Sequence, residues 1–446
     1  MSGGGEVIVQ HPFPTFTATL DRRLRADGAA PLAVGFSGGG DSLALLILTL
    51  DWARAHGRPV VSLTVDHQIN PASAAWTAAA VAKAQALGAT TRALSWSGAK
   101  PATGLPAAAR AARHALLADA ARAAGASVLL LGHTADDLAE AAAMRAEGST
   151  VSDPRDWAPS PAWPQGRGVF LLRPLLDVGR RTLRDWLTAR GEAWLDDPAN
   201  DDLKYARARA RRAQASPPPV GEVSPQATEG GVVPPRQAPP TGPLDRLPHG
   251  GRDYLVLPRA APAAHVAAAC LCAAGTSQPP RGERLRRLVD RLRAGETFTA
   301  TLAGARIEAS GDGVRFFREP GEARRQGPPP VGEVSAQPTE GGGTLIPLAL
   351  PVGETVVWDG RYEITATVPG LTVRPLQGLA ARLPAAQRRA LKDLPAAARS
   401  ALPAIVDPAG TVGCPILAGV FATRVRCLVL DRFEAAVGRV DQEAAT

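Results

Sequence analysis

Through its first half the chain alternates short apolar runs with longer amphipathic or Ala-rich stretches, separated by glycine. Pro31 to Phe36 predicts a strand, Ser37 to Ser42 a loop, and Leu43 to Leu50 the start of a helix reaching about His56. Pro59 to Asp66 is apolar and β-branched, the pattern of a strand buried on both faces in a parallel sheet. The spacing then predicts a helix from Ser73 to Leu87, a strand from Thr91 to Trp96, a helix ending at Gly125, a strand from Ser127 to Leu131, and a helix carrying Glu140 and Arg145. Glycine closes the first two of these helices. Gly148 to Gly168, rich in Pro and Trp, is expected to be irregular. A last strand at Val169 to Leu172 precedes a helix at Arg180 to Arg190. Strands alternating with helices imply an α/β doubly wound parallel sheet, whose ligands lie at the carboxyl ends of the strands. The glycine-rich loop, Asp66, His67, His133 and Asp137 all fall there.

This first domain is expected to span residues 1–212, with an acidic turn at Trp194 to Asp202 and a basic run at Lys204 to Arg212 near its end. From 213 to 244 the composition shifts to Pro, Gly, Ser and Gln, which reads as a disordered linker. Residues 245–446 read as a smaller α+β region. Leu285, Leu288, Val289 and Leu292 mark one helix face, and alternating runs at Thr297 to Ile307, Val314 to Arg318, Thr355 to Trp358 and Arg361 to Val368 are expected to share one antiparallel sheet. A disordered insertion at 327–345 interrupts it. Pro217 to Gly231 recurs from Pro328 to Gly342, differing only at Ala336 and Pro338. The copies are Pro/Gly-rich and lack a buried face, so they read as one inserted element, with a pair of docking peptides as the alternative.

Charge adds a hint of the partner. Fifty Lys and Arg against 42 Asp and Glu give a net charge of +8, which suits a polyanion without requiring one. The four cysteines, Cys270, Cys272, Cys414 and Cys427, form no Cys-x-x-Cys pair, so a reduced compartment is expected and no zinc or iron–sulfur centre. With no signal-peptide pattern and no apolar run of membrane length, a cytoplasmic protein with no membrane association is expected.

Ser37-Gly38-Gly39-Gly40-Asp41-Ser42 has the chemistry of a phosphate loop. Consecutive glycines let backbone N–H groups approach a phosphate, and the following helix N-terminus adds partial positive charge. Asp41 would repel phosphate unless a divalent cation lay between, which suggests a nucleotide with Mg²⁺. No Lys follows the glycines, so this is not a Walker A loop. The bland alternative is a glycine-rich turn. Asp136, Asp137 and Glu140 suit a metal or a cationic substrate, or simply cap a helix. Arg110 and Arg113, three apart on one helix face, could clamp phosphates or be solvated. His67 and His133 could be general acids or adenine-edge contacts. Arg207 and Arg211 could meet RNA or ATP phosphates, or edge the linker.

The loop resembles the SGGxDS loop of the PP-loop ATP pyrophosphatases, whose catalytic domain is Rossmann-like. Val65-Asp66-His67, Arg110-x-x-Arg113, Leu131 to Asp137 with Glu140, and Arg173-Pro174-Leu175-Leu176 leading to Asp196-Asp197-Pro198-x-Asn200 are similar, in order and spacing, to the tRNA(Ile)-lysidine synthase family. The resemblance covers about residues 30 to 212, with departures at Leu138, Ala141, Tyr205 and Ala208. It implies that ATP adenylylates the wobble cytidine of tRNA(Ile) with a CAU anticodon and that free lysine displaces AMP to give lysidine. A homodimer is a further possibility. By this resemblance Asp41, His133, Asp137 and Arg207 are expected to be catalytic. Ser37 to Ser42, Asp66, His67, Arg110 and Arg113 would bind ATP, and Asp136, Asp137, Glu140, Asn200 and Arg211 would bind substrate, with Asp41 on the metal. A PP-loop tRNA thiolase, an amide-forming synthetase, or a non-catalytic nucleotide- or RNA-binding module are the alternatives. The absence of cysteine from the first domain weighs against the thiolase.

Overall fold

The computed structural model describes residues 13–148, 154–195, 253–320, 347–419 and 421–445. The expected linker at 213–244, the insertion at 327–345 and the repeated segments fall outside these residues. The N-terminal part is a three-layer α/β unit. It begins with α1 (Pro14–Arg23), then β1 (Leu32–Gly35), α2 (Gly40–Ala55), β2 (Val60–Asp66), α3 (Ser73–Ala86), β3 (Thr90–Ser95), α4 (Leu105–Ala123), β4 (Val128–Leu131), α5 (Ala135–Ala146), β5 (Trp157–Pro159), β6 (Phe170–Leu172) and α6 (Arg180–Ala189). The strand order is β3-β2-β1-β4-β6-β5, parallel throughout except for the antiparallel edge strand β5. Strand order reverses beside β1, so the crevice at the carboxyl ends of β1 and β4 is the place where such a sheet binds ligands.

Burial accounts for the continuous apolar strands. Leu32, Ala33, Val34, Val128, Leu129, Leu130 and Leu63 are inaccessible because helices cover both faces of the sheet. Helix α2 is buried almost all round, from Leu43 to Leu48, between the sheet and α6. The short strand β5 corrects the irregular structure expected between Gly148 and Gly168. Its three residues, one of them Pro159, give no alternating pattern, and it is fixed by pairing with β6 and by stacking of Trp157 on Phe170 at 4.8 Å. Helix α1, which carried no predicted signal, buries Phe16 and Leu20.

Among the described residues the C-terminal region holds three antiparallel sheets, and the four runs expected to share one sheet are divided between two of them. Leu255–Pro258, Gly313–Arg318, Ala305–Ser310 and Phe298–Leu302 make the first. The run from Thr297 to Ile307 is in fact two strands, folded back at Ala303 and Gly304, whose φ values of 50° and 80° make the tight turn of a hairpin. Helices Ala263–Ala274 and Gly282–Arg293 cover this sheet, the latter with Leu288, Val289 and Leu292 inward. Leu348–Ala349, Thr372–Pro375, Pro403–Val406 and Val412–Gly413 make the second sheet. Thr355–Trp358 and Tyr362–Ala366 pair with Thr423–Cys427 in the third. In the first and third sheets one side of a hairpin is extended by a strand from far along the chain, Leu255–Pro258 and Thr423–Cys427, which local patterning does not reveal. Among the described residues no helix is long and apolar enough to cross a membrane.

Candidate active site

A cavity of about 1000 Å³ opens at the carboxyl ends of β1, β2 and β4. Its floor is the loop between β1 and α2. Ser42 Oγ–H donates to Gly39 O at 2.9 Å, and Ser37 N–H donates to Ser42 Oγ at 3.2 Å, so the two serines lock the turn. Gly38 has φ +86°, and a Cβ there would meet Leu195 Cδ1 at 2.7 Å, so both the backbone and the space call for glycine. Leu195 N–H donates to Gly38 O, tying the segment after α6 to the loop. Gly132, at the end of β4, is needed for a different reason: a Cβ would lie 3.0 Å from the carbonyl of Asp41. The N-terminus of α2 is thereby seated against the next strand end, with its free N–H groups toward the cavity.

Ser37, Gly39, Gly40, Asp41, Ser42, His67, Arg113, His133 and Asp137 line this one space. The other expected residues stand behind or beside it. Asp66 Oδ1 accepts from Gln68 N–H at 2.8 Å, shaping the turn that presents His67. Arg110 lies one turn before Arg113 on α4. Asp136 accepts the backbone N–H of Arg180 at 2.7 Å. Glu140 is 1% exposed and takes Arg180 Nη1 at 3.3 Å. Asp137 closes a capping box: its Oδ2 accepts from Thr134 N–H at 2.9 Å and from the Thr134 hydroxyl at 3.1 Å. Its capping and its place in the cavity therefore coexist. Asn200, Arg207 and Arg211 lie outside the described residues.

The side chain that sequence reasoning missed is Arg180, the first residue of α6. Its Nε–H donates to Asp41 Oδ2 at 2.8 Å, and its Nη2 stands 3.7 Å from Asp137 Oδ2. One guanidinium thus serves three carboxylates, Asp41, Asp137 and Glu140, from two helices. Arg184, one turn on, also lines the cavity, as do Trp76 and Thr77. Burial pushes the Asp41 carboxyl upward from its ordinary range, and the hydrogen bond and charge of Arg180 pull against that shift. His67 is lowered, first by burial and then by Arg113. Below the cavity wall, His114 is lowered to about 3, mainly by burial and then by Arg113 and Arg110. Arg173 Nε–H donates to His133 Nδ1 at 3.0 Å. A nitrogen that accepts this bond carries no proton, which makes the ring a neutral imidazole with its hydrogen on Nε2.

Residues 13–215 match the family model of the PP-loop domain. The chain is 54% identical over 435 residues to the tRNA(Ile)-lysidine synthase of Caulobacter vibrioides, covering 96% of this chain and 98% of that protein. The chain belongs to the tRNA(Ile)-lysidine synthase family. Other lysidine synthases stand further off: that of Hyphomonas neptunium is 38% identical, covering 63% of this chain and 79% of the relative, and that of Brucella anthropi is 34% identical, covering 78% and 77%. A U34-tRNA thiolase from Methanococcus maripaludis aligns over 45% of this chain and 71% of its own, at 17% identity and a TM-score of 0.38.

One carboxylate oxygen beside the phosphate loop could hold a divalent cation. Asp41 Oδ1 is buried without a hydrogen-bond partner, while Oδ2 is held by Arg180. An acceptor-only oxygen in that position fits a cation. Among the described residues no group of three or more His, Cys, Asp or Glu is arranged to hold a metal.

Proposed function

We propose that the protein joins lysine to the wobble cytidine of tRNA(Ile) bearing a CAU anticodon, through an adenylylated tRNA intermediate, with ATP converted to AMP and pyrophosphate. The observation that carries the chemistry is the meeting, in one cavity, of a phosphate loop and the carboxylates of Asp41 and Asp137, with Glu140 behind them on the same Arg180 guanidinium. A phosphate site alone would serve any nucleotide enzyme. A phosphate site beside surplus negative charge serves one that must also hold an amine.

The loop backbone and the α2 N-terminus bind the triphosphate, while Arg113 and Arg184 add charge from two further helices. Mg²⁺, bound at Asp41, would supply charge neutralisation between that carboxylate and the phosphates. The carbonyl oxygen of cytosine is a poor leaving group until adenylylated, so the first step transfers AMP to it and releases pyrophosphate. Asp137 and Glu140 then hold the lysine ammonium, which must lose a proton before the amine can attack. Neutral His133, fixed by Arg173, is suited to donate Nε2–H to a phosphate or base edge, and the Arg173 contact favours this over an imidazolium acid. The substrates are thus ATP, tRNA(Ile) and free lysine.

The test is mass analysis of tRNA(Ile) after incubation with Mg²⁺, ATP and labelled lysine. Lysidine at the wobble position supports the reading. Sulfur in place of lysine, or unmodified tRNA with no pyrophosphate released, would overturn it.

A further inference from the structure

Arg180 is the shared cation of the acidic corner, and its contacts are uneven. The bond to Asp41 is 2.8 Å, whereas Glu140 and Asp137 are met at 3.3 and 3.7 Å. The backbone of Arg180 is anchored by Asp136 at 2.7 Å, so a rearrangement here would be one of the side chain and not of α6. The same side chain lines the cavity that holds the phosphate loop. It can therefore reach either a carboxylate or an entering phosphate.

A lysine ammonium and the guanidinium need the same negative charge on Asp137 and Glu140. While Arg180 lies against them, a second cation gains less from the site and meets repulsion from the first. A triphosphate changes the balance, because it brings several negative oxygens to the Asp41 side and guanidinium pairs strongly with phosphate. We propose that Arg180 is a resident counter-cation that occupies the amine subsite until nucleotide arrives. With ATP bound, Arg180 turns to the phosphates and leaves Asp137 and Glu140 to the lysine ammonium. This rests on the lysidine-synthase reading above and adds to it a built-in order, nucleotide before amine. By linkage, nucleotide and lysine then strengthen each other's binding.

The test is calorimetric titration of lysine into the full-length protein, with and without the α,β-methylene analogue of ATP and Mg²⁺, for wild type, Arg180→Gln and Arg180→Lys. The analogue should tighten lysine binding to wild type by about tenfold. Arg180→Gln should bind lysine without nucleotide more tightly than wild type does, and the analogue should then alter its affinity by less than about twofold. Arg180→Lys keeps the charge but lacks the fork that spans Asp41 and Glu140, so its coupling should fall between the two and provides a reading even if the Gln variant folds poorly. Weaker lysine binding by Arg180→Gln in the absence of nucleotide, or undiminished coupling in it, would overturn the resident-cation role while leaving lysidine formation intact. Wild type that neither binds lysine beside the analogue nor forms lysidine would overturn both.

Discussion

Arg58 and Glu443, 385 positions apart, form a buried ion pair with two hydrogen bonds, Nη1 to Oε1 at 2.7 Å and Nη2 to Oε2 at 3.0 Å. Their side chains are 1% and 3% exposed. Around them the segment near residue 443 is stitched to the N-terminal domain: Glu443 N–H donates to Arg23 O, Arg25 N–H donates to Glu443 Oε1, and Trp157 Nε1–H donates to Val440 O. The segment near residue 443 thus fastens the end of α1 and the edge strand β5. Replacing Glu443 with Ala strands Arg58 with only the Ala30 carbonyl, and should lower stability by about 3 kcal/mol. The double variant Arg58→Met, Glu443→Leu should recover most of that loss, since apolar groups need no partner. Urea midpoints of wild type, Glu443→Ala and the double variant measure this, and a double variant no better than Glu443→Ala would contradict it.

A second buried group makes stability depend on pH. His114 is 4% exposed and its folded value is about 3, against an ordinary 6.5. Below pH 6.5 the unfolded chain takes up a proton that the native ring refuses, so the stability His114 contributes is complete above pH 6.5 and is lost as pH falls toward 3. His114→Gln removes this titration. The difference in unfolding free energy between wild type and variant should change with pH by up to about 1.4 kcal/mol per unit between pH 6 and 4, and be flat from 7 to 8. Denaturation curves at fixed pH steps check it, and a difference constant from pH 8 to 4 would place the charge of His114 elsewhere.

At the phosphate loop, Asp41→Asn keeps the shape and can still accept from Arg180, but it loses the charge that fits a cation. Pyrophosphate release should fall by at least about a hundredfold while the melting temperature stays near that of wild type. ATP-dependent pyrophosphate release over a range of Mg²⁺ concentrations measures this. Full activity in the variant would remove Asp41 from the cation.

The parts of this site that were legible in the sequence are those made by consecutive residues. A loop from Ser37 to Ser42 declares its chemistry because the glycines, the hydroxyls and the helix start are all local. Asp137 and Glu140 are readable together because they fall one helical turn apart. Arg180 was hidden for the opposite reason. It lies 139 positions from Asp41, and on its own helix it looks like one more arginine among Arg181, Arg184 and Arg190. Only the fold of α6 back onto α2 brings it into the acidic corner. The same holds for the C-terminal strands: alternation located the hairpins that contain Thr355–Trp358 and Gly313–Arg318, but the distant strands that extend them, Thr423–Cys427 and Leu255–Pro258, place them in different sheets.

Asp137 carries two duties that substitution can separate. Its Oδ2 caps α5 through Thr134, and its charge faces the cavity and Arg180. Asn in its place can still accept the Thr134 N–H through its amide oxygen, so the cap survives while the charge is lost. Ala removes both. Asp137→Asn should therefore raise the KM for lysine at least about tenfold, with adenylylation measured in the absence of lysine reduced much less. Its stability should stay close to wild type, whereas Asp137→Ala should lose about 1 kcal/mol more through the missing cap. Parallel measurement of adenylylated tRNA, lysine KM and urea midpoint for the two variants distinguishes the duties. Equal loss of adenylylation and lysine use in Asp137→Asn would assign the carboxylate to the nucleotide step instead of the amine.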